Sequence, residues 1–209
     1  AVLITATGKA FCAGQDLVEA TDPNGPELTQ IVQEHYNPII KKIRNMEKPV
    51  VAAVNGVAAG AGASIALCCD IVVACESATF IQAFSKIGLI PDSGGTFFLP
   101  RLIGMQKAAA LMMTAEPVLA KDAEKIGMIY KVFSDDSFEE ESWKLASKLA
   151  VMPTKGLGLT KRLLNASYSN NLEEQLDMEG KCQAIAGNTS DFKEGIEAFF
   201  EKRKPNFKG

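Results

Sequence analysis

Residues 50–74 read Val-Val-Ala-Ala-Val-Asn-Gly-Val-Ala-Ala-Gly-Ala-Gly-Ala-Ser-Ile-Ala-Leu-Cys-Cys-Asp-Ile-Val-Val-Ala. The first five are β-branched or small apolar residues with no polar break, the pattern of a strand buried on both faces. Asn55-Gly56 interrupts the run with turn chemistry. Small apolar residues at helical spacing follow over 62–69, and the run from Ile71 to Ala74 is a second buried strand. A strand, a glycine-bearing turn, a helix and another strand in so short a stretch argue for a crossover unit with parallel strands.

The same alternation extends outward from Ala1 to about Phe133. It predicts strands over 2–5, 50–54, 71–74, 79–81 and 129–133, and helices over 28–45, 62–69, 96–103, 105–114 and 120–126. Gly104 and Gly127 stand just past helical patterns, where a left-handed residue ends a helix. Thr-Asp-Pro-Asn-Gly-Pro over 21–26 reads as an exposed loop. After Ser134-Asp135-Asp136 no strand-like run remains, and helices are predicted over 138–150, 154–167, 171–186 and 192–202. The expected division is an α/β core over 1–134 and a helical region over 135–209. No repeat, low-complexity tract or coiled-coil heptad is present.

With 209 residues, 47% hydrophobic and 22% charged, the chain has the composition of an ordinary globular protein. Lysine and arginine number 22 against 25 aspartates and glutamates, a net charge of −3. That balance offers no global attraction to nucleic acid or to an anionic membrane, so an anionic ligand must be held by local donors. The apolar runs 49–54 and 57–67 fall short of the roughly 18 residues a membrane span needs. The five cysteines, Cys12, Cys68, Cys69, Cys75 and Cys182, show neither disulfide nor zinc spacing. A reducing cytoplasm is the expected compartment and no metal site is expected. Ala1-Val2-Leu3-Ile4-Thr5 already reads as a buried strand with no leader ahead of it. The expectation is that a natural N-terminal portion of the core is absent.

Three glycine-bearing turns carry the candidate chemistry: Phe-Cys-Ala-Gly-Gln-Asp-Leu (11–17), Asn-Gly-Val-Ala-Ala-Gly-Ala-Gly-Ala-Ser (55–64) and Gly-Leu-Ile-Pro-Asp-Ser-Gly-Gly-Thr (88–96). Glycines in such turns let backbone N–H groups approach a ligand, and the amides that open a helix after Gly60 carry the positive end of its dipole. The bland alternative, that these small residues merely let a helix sit close on a sheet, is nearly as well supported by the residues alone. A dinucleotide turn at Gly60-Ala61-Gly62 is disfavoured because Ile65, not glycine, closes the pattern. Asp92 stands where an aspartate commonly caps a helix, with Ser93 able to take over that role. Flanking Phe84, Ile90 and Phe97 could raise its pKa by desolvation. His35, Asp16 and Asp70 read as surface or structural residues, and Cys12 lacks a base.

Together these turns, with Phe-Ser-Lys-Ile (84–87) and Phe-Glu-Lys-Arg-Lys-Pro-Asn-Phe (200–207), resemble the crotonase (enoyl-CoA hydratase/isomerase) superfamily over the whole chain. They look most like its 1,2-epoxyphenylacetyl-CoA isomerases of phenylacetate degradation. The resemblance implies a ClpP-like spiral of ββα repeats followed by an all-helical C-terminal region that joins subunits into trimers or dimers of trimers. It implies an acyl-CoA thioester substrate, coenzyme A being part of that substrate and no further cofactor being needed. The thioester oxygen would rest on the backbone N–H groups of Gln15 and Ala61, with Asp92 as acid/base. Ala13, Asp16, Leu17, Gly60, Phe84 and Pro91 would line the substrate, and Phe199 and Lys202 would meet the nucleotide end. The family's hydratases carry glutamates at the positions of Ser64 and Phe84, and both are missing here. The expected activity is therefore conversion of ring-1,2-epoxyphenylacetyl-CoA to an oxepin, or the shift of a 3-enoyl-CoA double bond to the 2-position. A weak enoyl-CoA hydratase, or a non-catalytic acyl-CoA-binding homologue, is the alternative.

Overall fold

The computed structural model describes residues 1–209, which form two compact units. One comprises residues 3–44 and 50–143, the other residues 1–2, 45–49 and 144–209.

The larger unit is built from short strands dealt alternately to two sheets. Strands β1 (Val2–Ile4), β3 (Val50–Val54), β5 (Ile71–Cys75) and β8 (Lys131–Phe133) lie side by side in that order. Strands β2 (Ala10–Cys12), β4 (Val57–Ala59), β6 (Thr79–Ile81) and β7 (Val118–Leu119) form the second sheet. The pairs β1 and β2, β3 and β4, and β5 and β6 each leave one strand in either sheet before a helix carries the chain onward, after which β7 returns to the second sheet and a helix leads to β8 in the first. Pairs β3–β5, β5–β8, β2–β4 and β4–β6 are parallel, and β6–β7 is antiparallel. Every residue of β3 is buried, as its unbroken apolar run requires.

The helices of this unit begin with α1 (Leu17–Thr21), α2 (Leu28–Gln30) and α3 (Asn37–Asn45), with a π-helical stretch over Ile31–Tyr36 joining the last two. Pro38 supplies the physical reason for that stretch. It has no N–H for the carbonyl four residues back and its ring crowds that carbonyl, so the helix widens and the Asn37 N–H reaches Val32 O instead. Then come α4 (Ala61–Leu67), a 3-10 turn over Ala83–Ile87, α5 (Gly95–Ile103), α6 (Met105–Thr114) and α7 (Ala120–Lys125). Asp70 joins these elements: it accepts from Arg44 Nη1 at 3.1 Å and from Val50 N at 2.8 Å.

Helix α4 lies so close to β2 that a Cβ added at Gly62 would sit 2.2 Å from the Cys12 carbonyl oxygen. Both elements are backbone-anchored, so a Gly62→Ala chain has to push them apart. We expect a loss of about 3 kcal/mol, the upper end of ordinary overpacking, and a fall in Tm of roughly 10 °C for a chain of this size. Gly180→Ala, with open space around the position, should leave Tm unchanged or slightly raised. Thermal melts of the two variants check this contrast, and equal melting would refute it.

Helix α8 (Phe138–Ala150) leads into α9 (Thr154–Ala166), α10 (Leu172–Gly187) and α11 (Ser190–Glu201), which belong to the smaller unit. There Glu47 bonds Lys155 and Arg162 of α9, at 3.3 and 2.9 Å. Asp191, buried at the start of α11, accepts the backbone N–H groups of Lys208 and Gly209 at 2.8 and 3.0 Å.

Candidate active site

The three glycine-bearing turns meet around a cavity of about 430 Å³ formed within the larger unit. Gly14 shows how closely the first two approach. Its φ of +94° is one that glycine alone adopts freely, and a Cβ added there would lie 3.1 Å from Ala59 O and 3.4 Å from Ala61 N. The residue that follows, Gln15, and the first residue of α4, Ala61, both line the cavity. Neither of their backbone N–H groups donates a hydrogen bond within the chain. Two free amides on facing turns, one of them opening a helix, form an arrangement able to donate to an anionic oxygen. The Gln15 side chain is engaged elsewhere, donating to Glu19 Oε2 at 2.6 Å.

Asp92 lines the same cavity and is its one carboxylate. It is not a helix cap. The residue ahead of α5 is Gly94 in the left-handed conformation, and the Asp92 carbonyl, not its carboxylate, receives the Gly95 N–H at 2.8 Å. Ser93 does not cap the helix either, since its hydroxyl donates to Asp92 Oδ1 at 2.9 Å. Burial pushes the Asp92 carboxyl above the ordinary carboxylate range, and the bond from Ser93 pulls it partly back. Phe84 contributes to that apolar surrounding as a lining residue. The expected contributions of Ile90 and Phe97 are not found. Ile90 is 81% exposed, and Phe97 is exposed with the Arg101 guanidinium 3.7 Å from its ring centroid.

Of the remaining residues singled out in the sequence, Ala13, Leu17 and Gly60 line the cavity. Asp16 instead caps α1, accepting the Val18 N–H at 2.9 Å. Pro91 packs on Gly95, 3.3 Å from where a Cβ there would lie. Ser64 is fully buried, its hydroxyl facing Gly95 and bonded to nothing in the chain. Phe199, 78% exposed, and Lys202, the left-handed C-cap, stand at the end of α11 in the smaller unit. The sequence reading missed the wall contributed by the π-helical segment, chiefly Ile31, Val32 and Tyr36. Its signal was Tyr36-Asn37-Pro38, in which the proline disturbs the helix.

A protein-family model described as enoyl-CoA hydratase/isomerase matches residues 1–209. The 1,2-epoxyphenylacetyl-CoA isomerase of Escherichia coli is 46% identical, over 100% of this chain and 80% of its own length. A Rhodobacter capsulatus relative bearing an enoyl-CoA hydratase name is 43% identical, over 100% of this chain and 81% of its own. The crystal structure of an enoyl-CoA hydratase from Polaromonas superposes with a TM-score of 0.92 at 37% identity, covering 99% of this chain and 81% of that one. The chain belongs to the enoyl-CoA hydratase/isomerase family. Its spiral of paired strands and helices is the crotonase fold that the sequence motifs imply. Family members of both names, isomerase and hydratase, share the scaffold, so the side chains in the cavity must distinguish the reactions. No helix of this family member is long and apolar enough to cross a membrane.

Proposed function

We propose that the chain is an acyl-CoA isomerase that works with one acid/base. The observation that carries this reading is a single half-buried carboxylate, Asp92, in an apolar cavity that also presents the unpaired Gln15 and Ala61 amides. The thioester oxygen rests on the two amides. Asp92 takes a proton from the carbon next to the thioester, and the resulting enolate oxygen accepts hydrogen bonds that strengthen as its charge develops. Protonated Asp92 returns the proton two carbons further along, and a 3,4 double bond becomes a 2,3 double bond with no atom gained or lost. The ring epoxide of 1,2-epoxyphenylacetyl-CoA, the substrate named for the E. coli relative, is the favoured natural substrate. Its opening to an oxepin is likewise an isomerisation.

Hydration needs a second group to hold and deprotonate a water. Phe84 offers none, Ser64 is sealed behind Gly95, and no second acid lines the cavity. Those features support isomerase over hydratase. The test is incubation with a 3-enoyl-CoA in deuterated water. A 2-enoyl-CoA without 3-hydroxyacyl-CoA is expected, carrying deuterium to the extent that the proton on Asp92 exchanges with solvent before it is returned. Hydroxyacyl product would favour the hydratase, and neither exchange nor product would favour a silent binding homologue.

A further inference from the structure

Tyr36 closes the π-helical stretch and shares the cavity wall with Ile31 and Asp92. In an α-helix two residues five apart stand roughly 140° apart around the axis, and Tyr36 would turn away from the side that Ile31 faces. The wider π turn, in which the Asn37 N–H bonds five residues back to Val32 O, brings them towards one stripe. A π-stretch is costly in ordinary helix terms, and here its product is an aromatic hydroxyl at an otherwise apolar wall. The polar side chains of the lining are few. Gln15 is tied to Glu19, Lys86 is exposed and Asp92 is the acid/base of the proposed reaction. The Tyr36 hydroxyl makes no hydrogen bond within the chain and is not sealed from solvent. Burial first, then the charges of Cys12, Asp92 and Glu19 as they ionise, push the phenol upward, so it stays a donor at any working pH.

We infer that Tyr36 is a specificity-determining residue, whose O–H donates a hydrogen bond to an ether- or epoxide-type oxygen on the acyl group held over Asp92. This rests on the acyl-thioester reading of the cavity and adds to it a preference for oxygen-bearing over plain hydrocarbon acyl groups. A donor without a protein partner rejects a ligand that leaves it unpaired, and that rejection is the source of the preference.

The experiment is calorimetric binding of two unreactive probes of nearly equal shape, 2-methoxyphenylacetyl-CoA and 2-ethylphenylacetyl-CoA, which differ by an ether oxygen in place of a methylene. Wild type should bind the methoxy probe about tenfold more tightly. Tyr36→Phe, which removes one atom that bonds nothing in the chain, should bring the ratio to within about twofold of unity while keeping affinity for the ethyl probe. Tyr36→Met serves as a second variant and should erase the preference too, with weaker binding of both probes. Equal binding by wild type, or a preference that survives in the variants, overturns the inference. Failure of wild type to bind either probe overturns it along with the acyl-thioester reading. Failure of the deuterium test alone leaves the binding comparison standing, so the two ideas fall separately.

Discussion

Asp92→Asn should slow deuterium uptake and double-bond migration about a thousandfold, the middle of the range for losing a positioned acid/base, with the substrate KM changed little. The amide has nearly the shape of the carboxyl group, and Ser93 Oγ, 2.9 Å from Asp92 Oδ1, can still donate to its oxygen. The loss would therefore be in proton transfer and not in geometry. Wild-type kcat/KM should rise with pH along an acid limb above the ordinary carboxylate range, because burial raises this group and only its ionised form is a base. The same shift has a stability consequence of definite sign. Below the unfolded-state pKa the group is neutral in both states and costs nothing. As pH rises from there through the raised folded-state value, ionisation is harder in the folded chain and stability is lost. The substituted amide does not ionise, so the variant should be at least as stable as wild type at neutral pH. A variant that retains isomerisation within about threefold, or that unfolds, would sink the assignment.

Ala61→Pro removes one N–H of the proposed oxyanion site and sets the proline Cδ where that N–H pointed. Ala61 is the first residue of α4, the position a helix concedes most readily to proline. The residue before it is Gly60, which has no Cβ to clash with the proline ring. Since the lost N–H bonds nothing in the folded chain, Tm should move by no more than a few degrees. The expected cost is in kcat/KM, at least the roughly 10² to 10³ of one lost donor, because the ring carbon also crowds the bound oxygen. Gln15→Ala is the matched control. It deletes a side chain occupied with Glu19 and keeps the backbone N–H, so kcat should change by less than about threefold. Steady-state kinetics on a 3-enoyl-CoA decide the matter. A large effect of Gln15→Ala beside a small one of Ala61→Pro would reverse the assignment of backbone and side chain.

Much of the fold is legible along the chain because its elements announce themselves locally. The run Val50–Val54 is buried throughout, as an uninterrupted apolar stretch must be, and α6 and α8 begin and end where their apolar periodicity does. Strands β2, β4 and β7 went unread for a physical reason. Two or three residues such as Val57–Ala59 cannot establish a period of two, and what makes them strands is pairing with residues such as Phe80 and Ile81 more than 20 positions away. Lys131–Phe133 is shorter than the predicted 129–133 because the Ile129 N–H returns to Ala123 O in the turn after α7, and the approach to β5 starts only at Tyr130, whose N–H bonds Val72 O at 2.9 Å.

The candidate site divides along the same line. The residues alone identify three turns that can bring amides to an anion, and an acid between Pro91 and Ser93-Gly94-Gly95, because glycine, proline and aspartate carry local conformational meaning. Whether Asp92 caps a helix, whether Gly14 faces Ala61 and which way Tyr36 turns are questions of contact between segments remote in sequence. Those contacts are decided by packing of the larger unit, through the close seat of α4 on β2 and the widened helix ahead of Pro38. Local chemistry is written one residue at a time, whereas a cavity exists only when its walls have met.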